Sequence, residues 1–311
     1  MRLWPEFVRR LLPACVAAVA LTGTGRAQAA APATAADVSI TLQPTSELPV
    51  AAFRLVLMAP EAPRAIVVLL PGSNTDGRNL VDQPEWRVWA AAHRVALLGC
   101  FFQDPPKPDD WIENYVRAAD GSGPALLDAL GQLAAAAHQP AVAGLPLALV
   151  GASAGGEFAY EFTCWRPERV LAFVAHKGGV YFTHLAPPAA RRVPGLFFIG
   201  GRDLMHRRLS LTGVWSMGRR ADALWALVDE PDVGHDESAF APLSRVFLDD
   251  VLGLRLPGQE LRPAAVDAGW LIGAGLPAPC PVPRDPYGTT TTGWLPGRAS
   301  AEAAQPIAPR F

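Results

Sequence analysis

Leu147-Ala148-Leu149-Val150-Gly151-Ala152-Ser153-Ala154-Gly155-Gly156 is the stretch whose reading decides how this chain folds. Its apolar start, with no polar alternation, reads as a strand buried on both faces of a parallel sheet. A helix-compatible run, Gly156 to Arg166, stands behind it. Between the two lies G-x-S-x-G, the sequence form of a sharp strand-to-helix turn that lifts a serine above the sheet. The flanking glycines let backbones pass where a Cβ would collide. The first turn of the helix aims its unsatisfied N–H groups at the same spot. A serine there can attack a carbonyl, with donors already in position for the charge that develops on oxygen. The bland alternative is a glycine-rich turn at an ordinary strand–helix junction; the residues downstream argue against it.

A serine used in this way needs an acid and then a histidine later in the chain. Leu196-Phe197-Phe198-Ile199-Gly200-Gly201-Arg202-Asp203 reads as a strand that ends in glycines and an aspartate. The interval from Ser153 to Asp203 has room for a helix, a strand at Val170 to Ala175 and a connection. Leu224 to Val228 reads as a further strand, followed by Asp229-Glu230-Pro231-Asp232-Val233-Gly234-His235. His235 thus sits in a Pro/Gly loop ahead of an apolar helix, about Phe240 to Leu252, from which an imidazole can reach the serine. Asp229, Glu230 and Asp232 are rival acids, but they lie too close in sequence to His235. His93 and His138 fall at helix ends. His176 ends a strand and is expected to line the site, while His184 and His206 lie in loops as rivals to His235. The developing oxyanion should meet the N–H of Ala154 and a second donor from Pro71-Gly72-Ser73-Asn74, the turn after the apolar strand Ala65 to Leu70. Ser73 or Asn74 is expected to supply it.

From roughly Val50 to Leu254 these residues resemble the α/β-hydrolase superfamily. Within that span, Gly151-Ala152-Ser153-Ala154-Gly155-Gly156 with Arg166-Pro167-Glu168-Arg169 is similar to secreted esterases of the polyhydroxyalkanoate-depolymerase and feruloyl-esterase type. One departure is Pro71-Gly72, where many relatives have His-Gly. The resemblance implies an α/β-hydrolase fold: a mostly parallel central sheet flanked by helices. It also implies ester hydrolysis through an acyl-enzyme, with Ser153 as nucleophile, His235 as base and Asp203 as acid, and no cofactor. Only about 20 residues separate the strand ending at Ala175 from that starting near Leu196, where lid insertions usually sit. Little or no lid is therefore expected, and an open site suits an ester substrate that is bulky or polymeric. A serine peptidase or thioesterase on the same fold, or a non-catalytic binding protein that kept it, are the rival functions. An intact Ser153, Asp203 and His235 argues against the last.

The formal net charge is −2, and residues 1–29 carry a net +3 of it, from Arg2, Arg9, Arg10, Arg26 and Glu6. The remainder is acidic and has no basic block, which excludes nucleic acid or an anionic membrane surface as a ready partner. Residues 1–29 read as a signal peptide. Arg2, Arg9 and Arg10 precede an apolar run, Leu11 to Leu21, too short to span a bilayer, and Ala27-Gln28-Ala29 fits a cleavage site. The mature chain is expected to start at Ala30, in the periplasm or outside the cell, without membrane insertion. Arg9-Arg10 leaves the twin-arginine route open beside the general one.

Residues 30–45 read as a linker, 46–255 as the catalytic domain and 256–311 as a Pro-rich extension. Ten of residues 256–311 are proline, yet Gly269-Trp270-Leu271 and Gly293-Trp294-Leu295 supply apolar anchors. A mostly irregular tail that wraps the core is expected. Export permits disulfides, and with Cys15 lost in the signal, Cys100, Cys164 and Cys280 allow one bridge and one free thiol. No Cys/His spacing suits a metal. The polar loop Gln103 to Gly123 follows a strand's C-terminal end, where ligands bind in open α/β sheets. Phe102 and Trp111, with Asn74 and His176, are the expected substrate-lining residues.

Overall fold

The computed structural model describes residues 35–58, 61–107, 112–235, 242–273, 278–279 and 292–309. Eight strands form its main sheet: β1 (Ala36–Thr41), β2 (Val50–Leu57), β3 (Ala65–Leu70), β4 (Val95–Gln103), β5 (Leu147–Ala152), β6 (Val170–His176), β7 (Gly195–Gly200) and β8 (Trp225–Glu230). Their order across the sheet is β1-β2-β4-β3-β5-β6-β7-β8. β2 runs antiparallel to β1 and β4, and β4, β3, β5, β6, β7 and β8 are mutually parallel. Every residue of β3, β6 and β7 is buried, which is why these strands are continuous apolar runs.

Helices cover both faces. On one lie α2 (Ser122–Ala136), α3 (Ala154–Trp165) and α5 (Met205–Arg220); on the other lie α1 (Pro84–His93) and α6 (Pro242–Arg255). Between β6 and β7 the chain has only residues 177–194, with one short helix, α4 (Pro188–Arg191), and no inserted lid. On the α3 face, beneath β5 to β8, the core is aromatic. Phe173 and Phe197 meet edge to face at 5.2 Å, and Phe197 meets Trp225 at 5.6 Å. Each such pair adds roughly 0.5–1.5 kcal/mol beyond area burial.

The expected linker at 30–45 is corrected in part, because Ala36–Thr41 is the edge strand β1. Ala36, Val38 and Ile40 point to the core and the polar residues between them face outward. The strand is short and lies in an Ala-, Thr- and Pro-rich stretch, which composition alone reads as a linker. The C-terminal extension is less irregular than expected. β9 (Trp270–Gly273) pairs antiparallel with β10 (Ala278–Pro279) and β11 (Thr292–Leu295), and α7 (Arg298–Ala304) follows. Ile272, Leu295, Ala301 and Ala304 join the core that α1 and α6 cover. No helix among the described residues is long and apolar enough to cross a membrane, and the expected signal peptide lies outside them.

Candidate active site

Ser153 sits between β5 and α3 with φ 52° and ψ −124°, backbone that L-residues rarely adopt. Strain of this kind costs roughly 1–3 kcal/mol and persists only where neighbours enforce it. Here the Ser153 amide donates to the His176 carbonyl at 2.7 Å, and the Ser153 carbonyl accepts from Gly156 and Glu157 at 2.9 and 3.0 Å. A Cβ at Gly151 would strike the Gly155 carbonyl, and one at Gly155 would strike the carbonyl oxygens of Leu70 and Pro71. The turn therefore closes only with glycine at both positions.

His235 Nε2 lies 3.0 Å from Ser153 Oγ, and His235 Nδ1 lies 2.9 Å from Asp203 Oδ2. With Nδ1–H donating to the carboxylate, Nε2 presents its lone pair to the serine hydroxyl. The Asp203 side chain is 2% exposed, and its Oδ1 accepts from the Leu204 amide at 2.7 Å. Arg207, one turn into α5, brings Nε to 4.0 Å from the same oxygen.

Two loops nest to make this possible. The Gly201 amide donates to the Glu230 carbonyl at 2.8 Å, and the Arg202 amide to the Val233 carbonyl at 3.1 Å. A Cβ at Gly200 would lie 2.7 Å from the Val233 oxygen, so the glycines at the end of β7 are what lets the histidine loop come down on the aspartate. Beneath both loops, Lys177 Nζ reaches Glu230 at 3.1 Å, a buried ion pair that ties the end of β6 to the end of β8.

The fold has known counterparts. A protein from Thermus thermophilus, TT1662, superimposes with TM-score 0.50 at 22% identity, over 70% of this chain and 98% of that one. An S-formylglutathione hydrolase from Staphylococcus aureus covers 71% of this chain and 98% of its own at 14% identity, TM-score 0.45. Poly(aspartic acid) hydrolase-1 from Sphingomonas sp. KT-1 covers 69% and 98% at 16% identity, TM-score 0.45. The chain has the α/β-hydrolase fold. No family model matches the sequence, and no curated protein matches it.

The turn after β3 lies against the elbow, since a Cβ at Gly72 would be 3.7 Å from that of Ser153. Asn74, at φ 49°, spends its polar groups on structure. Its amide donates to the Tyr115 hydroxyl at 3.4 Å, its Oδ1 accepts from the Asp104 amide at 2.9 Å, and its Nδ2 donates to Ser73 Oγ at 3.2 Å. Among the described residues the Ser73 and Ala154 amides have no hydrogen-bond partner, so of the two expected donors in this turn Ser73 is the one left over.

Two expected lining residues face elsewhere. His176 is 1% exposed; its ring stacks on Phe198 and its Nε2 meets Ser244 of α6 at 3.1 Å. Burial, helped by the charge of Lys177, holds its pKa well below the ordinary histidine range, so the ring is a neutral core group. What His176 lends the site is its carbonyl, under Ser153. Phe102 is 3% exposed and packs among Phe53, Tyr115 and Phe158. Both sit at the ends of strands, where a change of face decides between core and site. Trp111 lies outside the described residues.

Of the other histidines, His93 pairs with Asp249 at 3.0 Å and packs on Trp89, while the rivals His184 and His206 are exposed, His206 in the first turn of α5 and not in a loop. Cys100 and Cys164 are free thiols, and Cys280 lies outside the described residues. Among the described residues no His, Cys, Asp and Glu cluster suits a metal ion. A separate cavity of about 610 Å³ opens between β2 and the start of α2, lined by Leu48, Tyr115, Ser122 and Asp128, and none of Ser153, Asp203 and His235 touches it.

Reading the sequence missed Lys177, Arg207 and Glu157, which surround the site without belonging to any motif. A signal was present for one of them: Glu157 interrupts the otherwise apolar start of α3.

Proposed function

We propose that this chain is a serine hydrolase that cleaves carboxylic esters through an acyl-enzyme. The observation that carries the reading is the hydrogen-bonded line from Ser153 Oγ through His235 to Asp203, at 3.0 and 2.9 Å. His235 Nε2 takes the serine proton as Oγ bonds to the ester carbonyl carbon. Asp203 keeps the imidazole in the required tautomer and stabilises its positive charge. The negative charge on the carbonyl oxygen is met by the N–H groups of Ala154 and Ser73. The carbon–oxygen bond to the alcohol then breaks, and the leaving oxygen takes the proton from His235. Water, deprotonated by the same imidazole, attacks the acyl-serine and releases the acid. No cofactor enters these steps.

The short connection at residues 177–194 supports an open site and an ester that is bulky or polymeric. The G-x-S-x-G-G turn, similar to that of secreted polyhydroxyalkanoate-depolymerase and feruloyl-esterase enzymes, supports the same substrate class. The arginines and apolar run of residues 1–29 support export, with a mature chain from Ala30 that N-terminal sequencing of the exported protein would reveal. A fluorophosphonate probe tests the chemistry. It is expected to label the wild type and not Ser153→Ala, and p-nitrophenyl esters of increasing chain length are expected to be turned over. An unlabelled wild type, or equal labelling of the variant, would remove Ser153 as the nucleophile.

A further inference from the structure

α3 carries two buried glutamates one turn apart, and both are turned onto the loop that follows β6. Glu161 Oε1 accepts from the Phe182 and Thr183 amides at 2.7 and 2.8 Å, and its Oε2 accepts from the Thr183 hydroxyl at 2.6 Å. Glu157, a turn nearer the nucleophile, uses Oε1 alone. That oxygen accepts from the Gly179 and Val180 amides at 2.6 and 3.0 Å. Its Oε2 is buried without a hydrogen-bond partner among the described residues, and the residue is 3% exposed. A carboxylate left half-satisfied in the interior is costly, and fully apolar packing would be cheaper. Such a group is explained when it acts on something.

What lies beyond Gly179 shows what that is. A Cβ at Gly179 would sit 2.9 Å from Arg207 Cγ and 3.2 Å from its Nη1, so the Gly179 backbone is held between the Glu157 carboxylate and the Arg207 side chain. Arg207 in turn faces Asp203 Oδ1 at 4.0 Å. We propose that Glu157 is a positioning residue for the triad of the proposed function: it holds Gly179 and Arg207 to the nucleophile helix, and through Arg207 it sets how strongly Asp203 acts on His235. The inference rests on that reading of the triad.

The charges around Glu157 are consistent with this role. Burial raises its pKa to about 7, against the pull of the Gly179 and Val180 amides; Glu113 adds to the rise and Arg207 opposes it. Tyr115 and Tyr181 are the phenols that feel its charge. Ionised Glu157 shares the field of the Arg207 guanidinium with Asp203 and leaves more of the Asp203 charge to the imidazole. Neutral Glu157 no longer draws on that guanidinium, so more of its field falls on Asp203, which weakens the hold of Asp203 on a protonated His235.

The test uses the full chain, with p-nitrophenyl acetate turnover and fluorophosphonate labelling followed from pH 5 to 9. Glu157→Gln keeps an oxygen for the two amides but no charge. It is expected to move the acidic limb of kcat/KM down by about half a pH unit. Glu157→Ala is expected to lower kcat by about 10- to 100-fold with KM within roughly threefold, as misplacement of catalytic groups does. Glu161→Gln is expected to lower Tm and leave the limb in place. A Glu157→Gln profile that overlays the wild type, or an equal shift from Glu161→Gln, would overturn the inference while the triad stands. Should Glu157→Ala fail to fold, the Glu157→Gln profile decides. A wild type that neither labels nor turns over would remove the triad reading, and this inference with it.

Discussion

The middle of the sheet and its C-terminal edge are built on opposite terms. Along β3, β6 and β7 every residue is buried, and up to the end of β6 the side chains there are carbon or hydrogen alone. A few residues further on, Ser153 and Lys177 sit at φ 52° and 55°, and the carboxylates of Glu157 and Asp203 and the ammonium of Lys177 are buried. Each strained residue costs roughly 1–3 kcal/mol. Buried charges add a desolvation cost that their partners only partly return. The edge survives because the interior beneath it over-determines the path of the chain. The packed interior and the candidate site are thus separated along the same strands, and substitutions should separate stability from the proposed activity.

The largest effect is expected at the edge. Ser153→Ala should lower kcat by about 10⁴- to 10⁶-fold with Tm nearly unchanged, because one hydroxyl is removed and no packing is lost. His235→Ala should be almost as damaging, while His184→Ala and His206→Ala stay within a few-fold of the wild type. A reversed ranking of the histidines, read from steady-state kinetics, would break the assignment of the edge.

The interior should behave in the opposite way. Phe197→Ala removes a ring from the aromatic stack with Phe173 and Trp225 and should cost about 3–5 kcal/mol in denaturant unfolding. The kcat of the molecules that remain folded should change little. A large loss of kcat at unchanged stability would show that the two regions are not separable.

A smaller effect is expected where the two regions meet. The pKa of Glu157 is raised from 4.5 to about 7 in the folded chain. Its stabilising contribution is therefore complete below about pH 4.5 and is lost as pH rises through about 7. Glu157→Gln does not titrate, so its stability relative to the wild type should improve between pH 5 and 8. Denaturant midpoints at the two pH values measure this; a constant difference would mean that Glu157 ionises in the folded chain as freely as in water. The smallest expected effect is none. EDTA should leave the esterase rate unchanged, since the proposed steps pass only through Ser153, His235, Asp203 and backbone amides. Loss of activity restored by added zinc or calcium would defeat that scheme.

Much of this design can be read along the chain, because it is local. The apolar run Leu147 to Val150, the glycines at 151 and 155 and the apolar helix behind them dictate a strand, a strained turn and a helix wherever they occur. The strands that carry Ser153, Asp203 and His235 at their ends can be counted along the chain, and the sheet contains them as β5, β7 and β8. Sequence could not say which way a side chain turns at the end of a strand. His176 and Phe102 look like site residues from their positions and prove to be core, because strands buried on both faces show no polar alternation that would tell a core side chain from a site one. Nor could it find β1, whose short alternation of Ala36, Val38 and Ile40 acquires meaning only beside β2. The line from Glu157 through Gly179 and Arg207 to Asp203 joins segments far apart in sequence, and no local spacing encodes it. Local backbone chemistry determined the elements and the order of the candidate residues. Packing between distant segments decided which amide is left unpaired, which histidine stays neutral and which buried charge faces the acid, because those depend on distances that exist only once the strands are side by side.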